Sequence, residues 1–300
     1  MSGLPVLRIV IGFSPGSASD DIARLIAAPL GKQLGQAVAI ERIAGDNGAL
    51  AARAVAQSAA DGNTLLVATL GTHALAPHVH NVRNDLPYHP INDFAPVSLL
   101  TQSPMLLACH PALPVNNINE FITHARARPA ALAYGTSATG GAPHLAAELF
   151  QSVTGVTLRH ARYDDTQKLY ADLEAGRIAL SFNNIMSMLP RCNAGTLRAL
   201  GVTATQRSPV APHIPTLAEC GVNGGEVSNW LGLVAPRGTP VPWLDTIAQA
   251  AAAAINSNEV AVVLNRCGIT PCGSTPVQFG RFIASELTHW KPVVTRFSQV

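Results

Sequence analysis

Hydrophobic and polar positions in the first quarter of the chain alternate between short apolar runs and stripes with helical spacing. Residues 6–13 are almost continuously apolar, which is typical of a strand that is covered on both faces. From 20 to 34, the apolar residues at 22, 25, 26, 30 and 34 fall on one face of a helix. The pattern then predicts a strand at 37–43, a helix at 49–58 and a strand at 64–69. This order predicts a parallel sheet with right-handed crossovers.

The middle of the chain predicts a second lobe of the same kind. Residues 71–95 are rich in Pro, His and Asn and predict an extended surface loop. Short strands at 97–100 and 105–109 are predicted on either side of Ser103 and Pro104. A second alternation follows, with helices at 118–127, 144–153, 166–174 and 187–193, and strands at 132–134, 157–160, 178–182 and 197–202.

The last part of the chain predicts one strand, at 230–235, and helices at 242–255, 259–267 and 276–297. One strand cannot build its own sheet, so we expect this segment to return to the first lobe. The chain is therefore predicted to be an α/β protein with two doubly wound lobes. Lobe 1 comprises residues 1–103 and 226–300, and lobe 2 comprises residues 104–225. Two lobes with a cleft between them are the usual geometry for capturing a small ligand.

Composition narrows the class of protein further. Of the 300 residues, 48% are hydrophobic and 13% are charged, which excludes a disordered chain. The formal net charge is only +2, far from the strongly basic surface of a nucleic-acid-binding protein. No nucleic-acid partner is therefore expected. The chain contains no apolar run of about 18 residues that would predict a membrane span. Residues 1–8 lack the charged and apolar regions of a signal peptide, so we expect a cytoplasmic protein or a chain that begins after a removed export signal.

The five cysteines show no metal or redox motif. They stand at 109, 192, 220, 267 and 272 without a CxxC pair, so zinc-ribbon and thioredoxin-like sites are excluded. Cys267 and Cys272 could pair in an oxidising compartment, but we expect separately buried thiols.

The turn at residues 13–20 is the most informative local feature of the sequence. It follows the first predicted strand and opens a helix, which is where open α/β sheets bind ligands. Small residues let backbone N–H groups approach an anion, and the helix N-terminus adds partial positive charge. The alternative is an ordinary tight turn in which Ser19 or Asp20 caps the helix. The turn matches neither a Walker A loop nor the GxGxxG motif.

A similar turn, at residues 134–144, opens a helix in the second predicted lobe. Two such turns, one in each lobe, could face each other across a cleft, and each could bind one carboxylate through neutral backbone donors. Three catalytic or metal-binding alternatives are weaker. Ser137 lies in an incomplete nucleophile-elbow motif. His78 and His80 could touch a metal, although solvated loop histidines are favoured. The pair at 164–165 is more often a helix cap than a catalytic carboxylate pair.

Ordered segments of this sequence resemble the substrate-binding receptors of tripartite tricarboxylate transporters, often called the Bug family. The similarity begins with Arg8-Ile-Val-Ile-Gly-Phe-Ser-Pro-Gly-Ser-Ala-Ser-Asp20 and continues through Asp61-Gly-Asn-Thr-Leu-Leu-Val-Ala-Thr-Leu-Gly-Thr-His73, Asp93-Phe-Ala-Pro-Val-Ser98, Tyr134-Gly-Thr-Ser-Ala, His144-Leu-Ala-Ala-Glu-Leu-Phe150, Ala194-Gly-Thr-Leu-Arg-Ala-Leu200 and Gly232-Leu-Val-Ala-Pro-Arg-Gly-Thr-Pro240. It covers essentially the whole chain. The resemblance implies a type II periplasmic-binding-protein fold with a hinge and an interlobe cleft.

The same resemblance implies a binding site made largely of backbone amides and bridging waters. The ligand-binding residues that it implies are Phe13, Gly16, Ser17, Ala18, Ser19, Asp20, Gly71, Thr72, His73, Ser137, Ala138, Thr139, Gly140, His144, Tyr163 and Asn183. Neutral donors would hold an anion without a buried arginine, so the ligand could leave when the lobes open. Phe13 would pack on the carbon skeleton of the ligand.

The resemblance implies a receptor without catalytic residues, cofactor or metal, which acts as a monomer. It would capture a small mono- or dicarboxylate, aromatic acids included, in the periplasm and deliver it to membrane permease subunits. A signalling receptor with the same fold, or an enzyme such as a serine hydrolase, stays open as an alternative. Three departures fall beside the implied cleft: Ser14-Pro-Gly-Ser17 stands for Pro-Pro-Gly-Gly, Ala161-Arg-Tyr-Asp-Asp165 for Val-Pro-Tyr-Lys-Gly, and Phe182-Asn-Asn184 for Phe-Asp-Asn. They alter the charge of the site and leave the identity of the acid open.

Overall fold

The computed structural model describes residues 5–81, 86–136, 141–163 and 165–297, with the backbone alone for 79–81 and 296–297. Its contacts divide the chain into two compact units. Unit 1 contains Met1–Gln102, Trp230–Asn265 and Thr270–Val300, and unit 2 contains Ser103–Asn229 and Arg266–Ile269. These units are defined by contacts alone, so the lobe boundaries derived from the sequence stay a prediction.

The sheet of unit 1 begins with three parallel strands, β1 (Leu7–Ile11), β2 (Val38–Arg42) and β3 (Thr64–Thr69). β1 lies between the other two, with Leu7 opposite Val38 and Arg8 opposite Thr64. The predicted parallel arrangement of these strands is therefore confirmed. A strand from late in the chain, β9 (Ser228–Pro236), pairs antiparallel with β3 and extends the sheet.

Helices connect and cover this sheet. The helices of unit 1 are α1 (Ala18–Leu34), α2 (Ala49–Ala56), α3 (Ala76–Asn81), α8 (Val241–Ile255), α9 (Asn258–Arg266) and α10 (Pro276–Phe297). Ser17 caps the start of α1, and Gly35 ends it in the left-handed conformation at φ 66°. Gly232 of β9 leaves room for the ring of Phe279 on α10, and a Cβ atom there would lie 2.2 Å from that ring.

The sheet of unit 2 is mixed. Strands β5 (Ala133–Thr136) and β6 (Arg159–Arg162) are parallel, as are β5 and β7 (Leu180–Asn184). β4 (Phe94–Cys109) runs antiparallel to β7 and to β8 (Arg198–Val202). The helices are α4 (Ile118–Arg126), α5 (Ala142–Thr154), α6 (Thr166–Glu174) and α7 (Ile185–Asn193). Leu106, Leu169 and Met188 belong to the buried core between strands and helices. The α/β class is therefore confirmed.

Two local predictions were wrong. The segment after β3 is not an extended loop, because a π-helical turn at Gly71–Leu75 runs directly into α3. Ala74 and Leu75 are completely buried there, and that burial stabilises a helical turn in spite of the Pro and His content. The two short strands around Pro104 form the single strand β4. Pro104 lies between Gln102, which pairs with β10 (Thr270–Pro271), and Met105, which pairs with β7.

Over the described residues, no single helix has the length and apolar composition needed to cross a membrane. α8 and α9 satisfy that test only when taken together, and they are bent by 62° at their junction.

Candidate functional site

The first strand-to-helix turn carries unpaired backbone donors at the start of α1. The hydroxyl of Ser17 accepts a hydrogen bond from the Asp20 amide at 3.4 Å, and the Ser17 amide donates to the Ser14 carbonyl at 3.2 Å. The N–H groups of Ala18 and Ser19 belong to the first helical turn, where no intrahelical acceptor exists. Within the described part of the chain, neither N–H has another acceptor. Such a helix start attracts an anion.

Asp20 is the anchor of this turn. Its carboxylate accepts hydrogen bonds from the Gly16 amide at 3.1 Å and from the guanidinium groups of Arg24 and Arg42 at 2.9 Å each. The Asp20 side chain is only 5% exposed. Burial alone would raise its pKa, but the Gly16 amide and the two arginines together hold the pKa below the usual 3.8. Asp20 therefore holds the turn in place and stays ionised at neutral pH.

A segment that the sequence analysis missed lies beside this turn. Gly45, Asp46, Asn47 and Gly48 have φ values of 138°, 47°, 50° and 90°, a run of four residues with positive φ. Gly48 is required, since a Cβ atom there would lie 2.9 Å from the Thr72 methyl group and 3.2 Å from the Phe13 ring. Phe13, Gly48 and Thr72 are thus neighbours. The Gly-Asp-Asn-Gly sequence was the available signal, because these residue types tolerate positive φ.

Thr72 and His73 are buried below this surface and do not form an open wall. Thr72 is 1% exposed and His73 is not exposed at all. The His73 Nδ1 atom and the Thr72 hydroxyl lie 2.9 Å apart, and the Tyr88 hydroxyl donates to the Thr72 carbonyl at 2.7 Å. Burial lowers the pKa of His73 to about 3, so its ring is neutral. Gly71 begins the π-helical turn that holds both residues.

The second predicted turn is only partly described. Ser137, Ala138, Thr139 and Gly140 lie outside the described residues. Gly141 precedes α5, and its carbonyl accepts the Leu145 amide at 3.0 Å. His144 lies in the first turn of α5, and the centre of its ring is 4.3 Å from that of His160. Burial, followed by the neighbouring His160, lowers the pKa of His144 to about 4.

Tyr163 and Asn183 occupy different positions in unit 2. The Tyr163 hydroxyl donates to Asp172 at 2.8 Å. Burial and that carboxylate raise the pKa of Tyr163 to about 12. Asn183 is 5% exposed and accepts the Asn184 amide at 3.0 Å. Its side-chain NH₂ group has no hydrogen-bond partner among the described atoms, so it is available for a polar ligand or water.

Other candidates from the sequence have structural partners. The His78 Nε2 atom lies 2.8 Å from the Leu287 carbonyl oxygen. The described residues contain no group of three or more His, Cys, Asp or Glu side chains arranged to hold a metal. Asp165 caps α6 by accepting the Gln167 amide at 2.9 Å, which confirms its expected role, whereas Asp164 lies outside the described residues. Cys272 is a free thiol, so it does not pair with Cys267 in this structure.

Comparison with solved structures defines the class of this protein. An R. palustris protein solved with adipate superposes with a TM-score of 0.88, 36% sequence identity and coverage of 96% of both chains. MatC from Rhodopseudomonas palustris, solved with bound malate, gives a TM-score of 0.86 at 32% identity and covers 96% of this chain and 98% of MatC. The fold is therefore that of the periplasmic solute-binding proteins.

Sequence comparison gives the family. The model described as "Tripartite tricarboxylate transporter family receptor" matches residues 22–298. Protein BugT of Bordetella pertussis is 33% identical over 288 residues, which span 96% of this chain and 88% of BugT. The chain belongs to the tripartite tricarboxylate transporter receptor family, and the resemblance seen in its sequence is confirmed. Members of this family are solute-binding receptors.

Proposed function

We propose that this protein is a periplasmic receptor that captures a small mono- or dicarboxylate and carries out no reaction on it. The observation that carries the proposal is the pair of unpaired amides, those of Ala18 and Ser19, at the start of α1. A helix start with free N–H groups binds a carboxylate through neutral donors. Relatives solved with adipate and malate support the choice of an acid as ligand.

The conformation of the turn before α1 is held by internal contacts that need no ligand. Asp20 fixes the turn through Gly16, Arg24 and Arg42, and its charge is neutralised by the two arginines. The amides ahead of it are therefore ordered without placing an unbalanced negative charge near the ligand. Preorganised donors reduce the entropy that binding must overcome. The Phe13 ring beside Gly48 would contact the carbon skeleton of the acid.

The turn before α5 is the second proposed carboxylate contact. Its members Ser137, Ala138, Thr139 and Gly140 precede a 13-residue helix, and His144 lies in the first turn of that helix. Tyr163 and Asn183 stay proposed polar contacts of the same unit. The proposal includes a periplasmic location and delivery of the acid to membrane permease subunits, which family membership supports. It also includes action as a monomer.

Thermal-shift and calorimetric titration with a panel of carboxylates tests the proposal, and adipate and malate are its first members. At 100 times the dissociation constant, a bound acid stabilises the folded state by about 2.7 kcal/mol, which is readily measured as a rise in Tm. A panel in which no acid raises Tm would contradict the function.

A proline at the first position of α1 tests the proposed amides directly. Ala18→Pro removes one donor, and proline is well tolerated at the first helical position. Ser17 already has the extended backbone, φ −74° and ψ 156°, that a following proline requires. We expect a 10- to 100-fold loss of affinity, since a hydrogen bond to a charged group contributes about 1.5–3 kcal/mol.

The matched control is Asn258→Pro, which places proline at the exposed first position of α9. Both variants should keep a Tm close to that of the parent, and the control should keep its affinity. Unchanged affinity in Ala18→Pro would show that this amide does not hold the acid.

A further inference from the structure

Three aromatic rings lie nearly parallel on one face of the unit 2 sheet. Tyr134 of β5 and His160 of β6 are directly opposite each other in the strand register. Their ring centres are 4.9 Å apart with 16° between the planes. The ring of His144, from α5, lies 4.3 Å from that of His160 with 17° between the planes. Two histidine rings are thus stacked, one from β6 and one from α5.

Polar contacts join this cluster to its surroundings. Glu148, one turn after His144, accepts hydrogen bonds from the Tyr134 hydroxyl and from Gln151. A Glu148 carboxylate oxygen is 3.6 Å from the His144 Nε2 atom. On the other side, His160 Nε2 lies 2.7 Å from the hydroxyl of Thr136, the residue that precedes the α5 turn. The cluster therefore contains His144 and contacts Thr136, which are described residues on either side of 137–140.

Burial favours the uncharged form of both rings at neutral pH. Burial lowers the pKa of both histidines, and the proximity of His160 lowers that of His144 further. The charged groups that face the pair among the described residues are the Glu148 carboxylate, which favours protonation of His160, and the Arg162 guanidinium, which opposes it. Two stacked imidazoles at 4.3 Å repel each other when both are charged, so the pair can carry one proton much more easily than two.

We propose that the His144–His160 pair is a proton-binding site coupled to ligand capture: when an acid binds at the first turn of α5, the pair takes up one proton from solvent. This inference rests on the proposed function. His144 is the third residue of α5, so its ring belongs to the same helical turn at which we propose that the acid binds. An anion within about 4–6 Å favours the charged imidazolium. Glu148 then balances the new charge on its other side.

Charge balance links the binding of the acid to the uptake of the proton. A bound carboxylate adds one negative charge beside a buried, neutral ring, and a proton on the ring cancels it. The proton comes from bulk solvent and forms an N–H bond on one imidazole, and no other bond changes. Linkage then requires the affinity for the acid to rise as the pH falls toward the range where imidazole titrates.

Calorimetric titration in two buffers measures the proton directly. The probe is adipate or malate, whichever gives the larger thermal shift, titrated at pH 6.5 in PIPES and in imidazole. The slope of the observed enthalpy against the buffer ionisation enthalpy is the number of protons taken up. We expect a positive slope of at most one proton, and an affinity roughly threefold or more higher at pH 6 than at pH 8. Protonation of one carboxylate of a bound dicarboxylate would give the same positive sign, so the assignment to the histidines depends on the double variant described next.

A double variant, His144→Gln with His160→Gln, should lose the uptake and its pH dependence while the Gln side chains keep polar groups in both positions. His213→Gln, at an exposed histidine of the same unit, is the matched control and should keep the slope. If the double variant binds too weakly to measure, ¹⁵N NMR of the wild-type histidine rings replaces it, and the ligand should shift two ring nitrogens to imidazolium values.

The outcomes separate the two hypotheses. Binding with zero or negative slope overturns the proton coupling and leaves the receptor function intact. A positive slope that survives in the double variant, or ring nitrogens that stay neutral with ligand, also overturns it. A panel in which no acid binds overturns the receptor function, and the coupling with it.

Discussion

The ionic anchor of the first turn makes a specific prediction about stability. Replacing Asp20 with alanine removes three hydrogen-bond acceptor contacts, those with Gly16, Arg24 and Arg42. The Arg24 side chain is 56% exposed and lies one helical turn away, so its pair contributes only about 0.3–0.5 kcal/mol. Arg42 is 30% exposed. The hydrogen bond from Arg42 to the buried carboxylate and the one from the Gly16 amide each contribute about 1.5 kcal/mol.

We therefore expect Asp20→Ala to lower the free energy of unfolding by about 3 kcal/mol. Asp20→Asn keeps an acceptor oxygen but loses the charge, so its loss should be smaller. The matched control is Asp21→Ala. Asp21 is exposed in the same helical turn, and partial loss of hydration together with the neighbouring Asp20 carboxylate raises its pKa. Removing that carboxylate should therefore cost little or be neutral.

The pH dependence provides a second check on the same residue. The pKa of Asp20 is lower in the folded protein than the usual 3.8, so the folded state favours the ionised form. Its contribution is fully present above the unfolded pKa and is lost as the pH falls through the folded pKa. The stability difference between the parent and Asp20→Asn should thus be constant from pH 7 to pH 5 and shrink below about pH 4.

Urea unfolding followed by circular dichroism measures these differences, since the midpoint shifts with stability at constant slope. An Asp20→Ala protein as stable as Asp21→Ala would refute the argument that Asp20 anchors the turn. A stability difference that persists unchanged well below pH 3 would refute the charge argument while leaving the packing of the residue intact.

Two further predictions concern the packing of unit 1. Gly232→Ala should lower the free energy of unfolding by about 1–3 kcal/mol, because its Cβ atom would lie 2.2 Å from the Phe279 ring; a urea midpoint equal to that of the parent would contradict this. Glu286 accepts hydrogen bonds from the indoles of Trp230 at 2.9 Å and Trp290 at 3.1 Å. Glu286→Ala should cost about 2–4 kcal/mol and shift the tryptophan emission, whereas Glu286→Gln should keep most of the stability; equal losses in the two variants would show that the acceptor oxygen is unimportant.

Much of the fold could be predicted because it depends on local periodicity. The apolar run that became β1 and the five-residue stripe of α1 are set by residues that are near one another in the chain. Such patterns report which face of an element is buried. A helix start was likewise predicted at residues 13–20, since small and capping residues act within one turn. The cap was expected at Ser19 or Asp20, which was wrong, because the Ser17 hydroxyl accepts the Asp20 amide and caps α1.

The predictions that were wrong, or missing, concern residues whose partners are far away in the chain. The helical conformation of Gly71–Leu75 depends on the burial of residues such as Leu75. The helix α10, about 200 positions later in the chain, packs against this segment and contributes to that burial. The role of Gly48 appears only when Thr72 and Phe13 come together around it. Neither relation leaves a periodic signal in the sequence.

By itself, therefore, the sequence determined the class of elements, their parallel order at the start of the chain and the family to which the chain belongs. Tertiary structure decided which polar groups meet. Arg42 contacts Asp20 from 22 positions later in the chain, and His160 of β6 stacks on His144 of α5 from 16 positions later. Apolar periodicity specifies the direction in which a side chain points, but the charge balance around an acid depends on the groups that folding brings within a few ångströms of it.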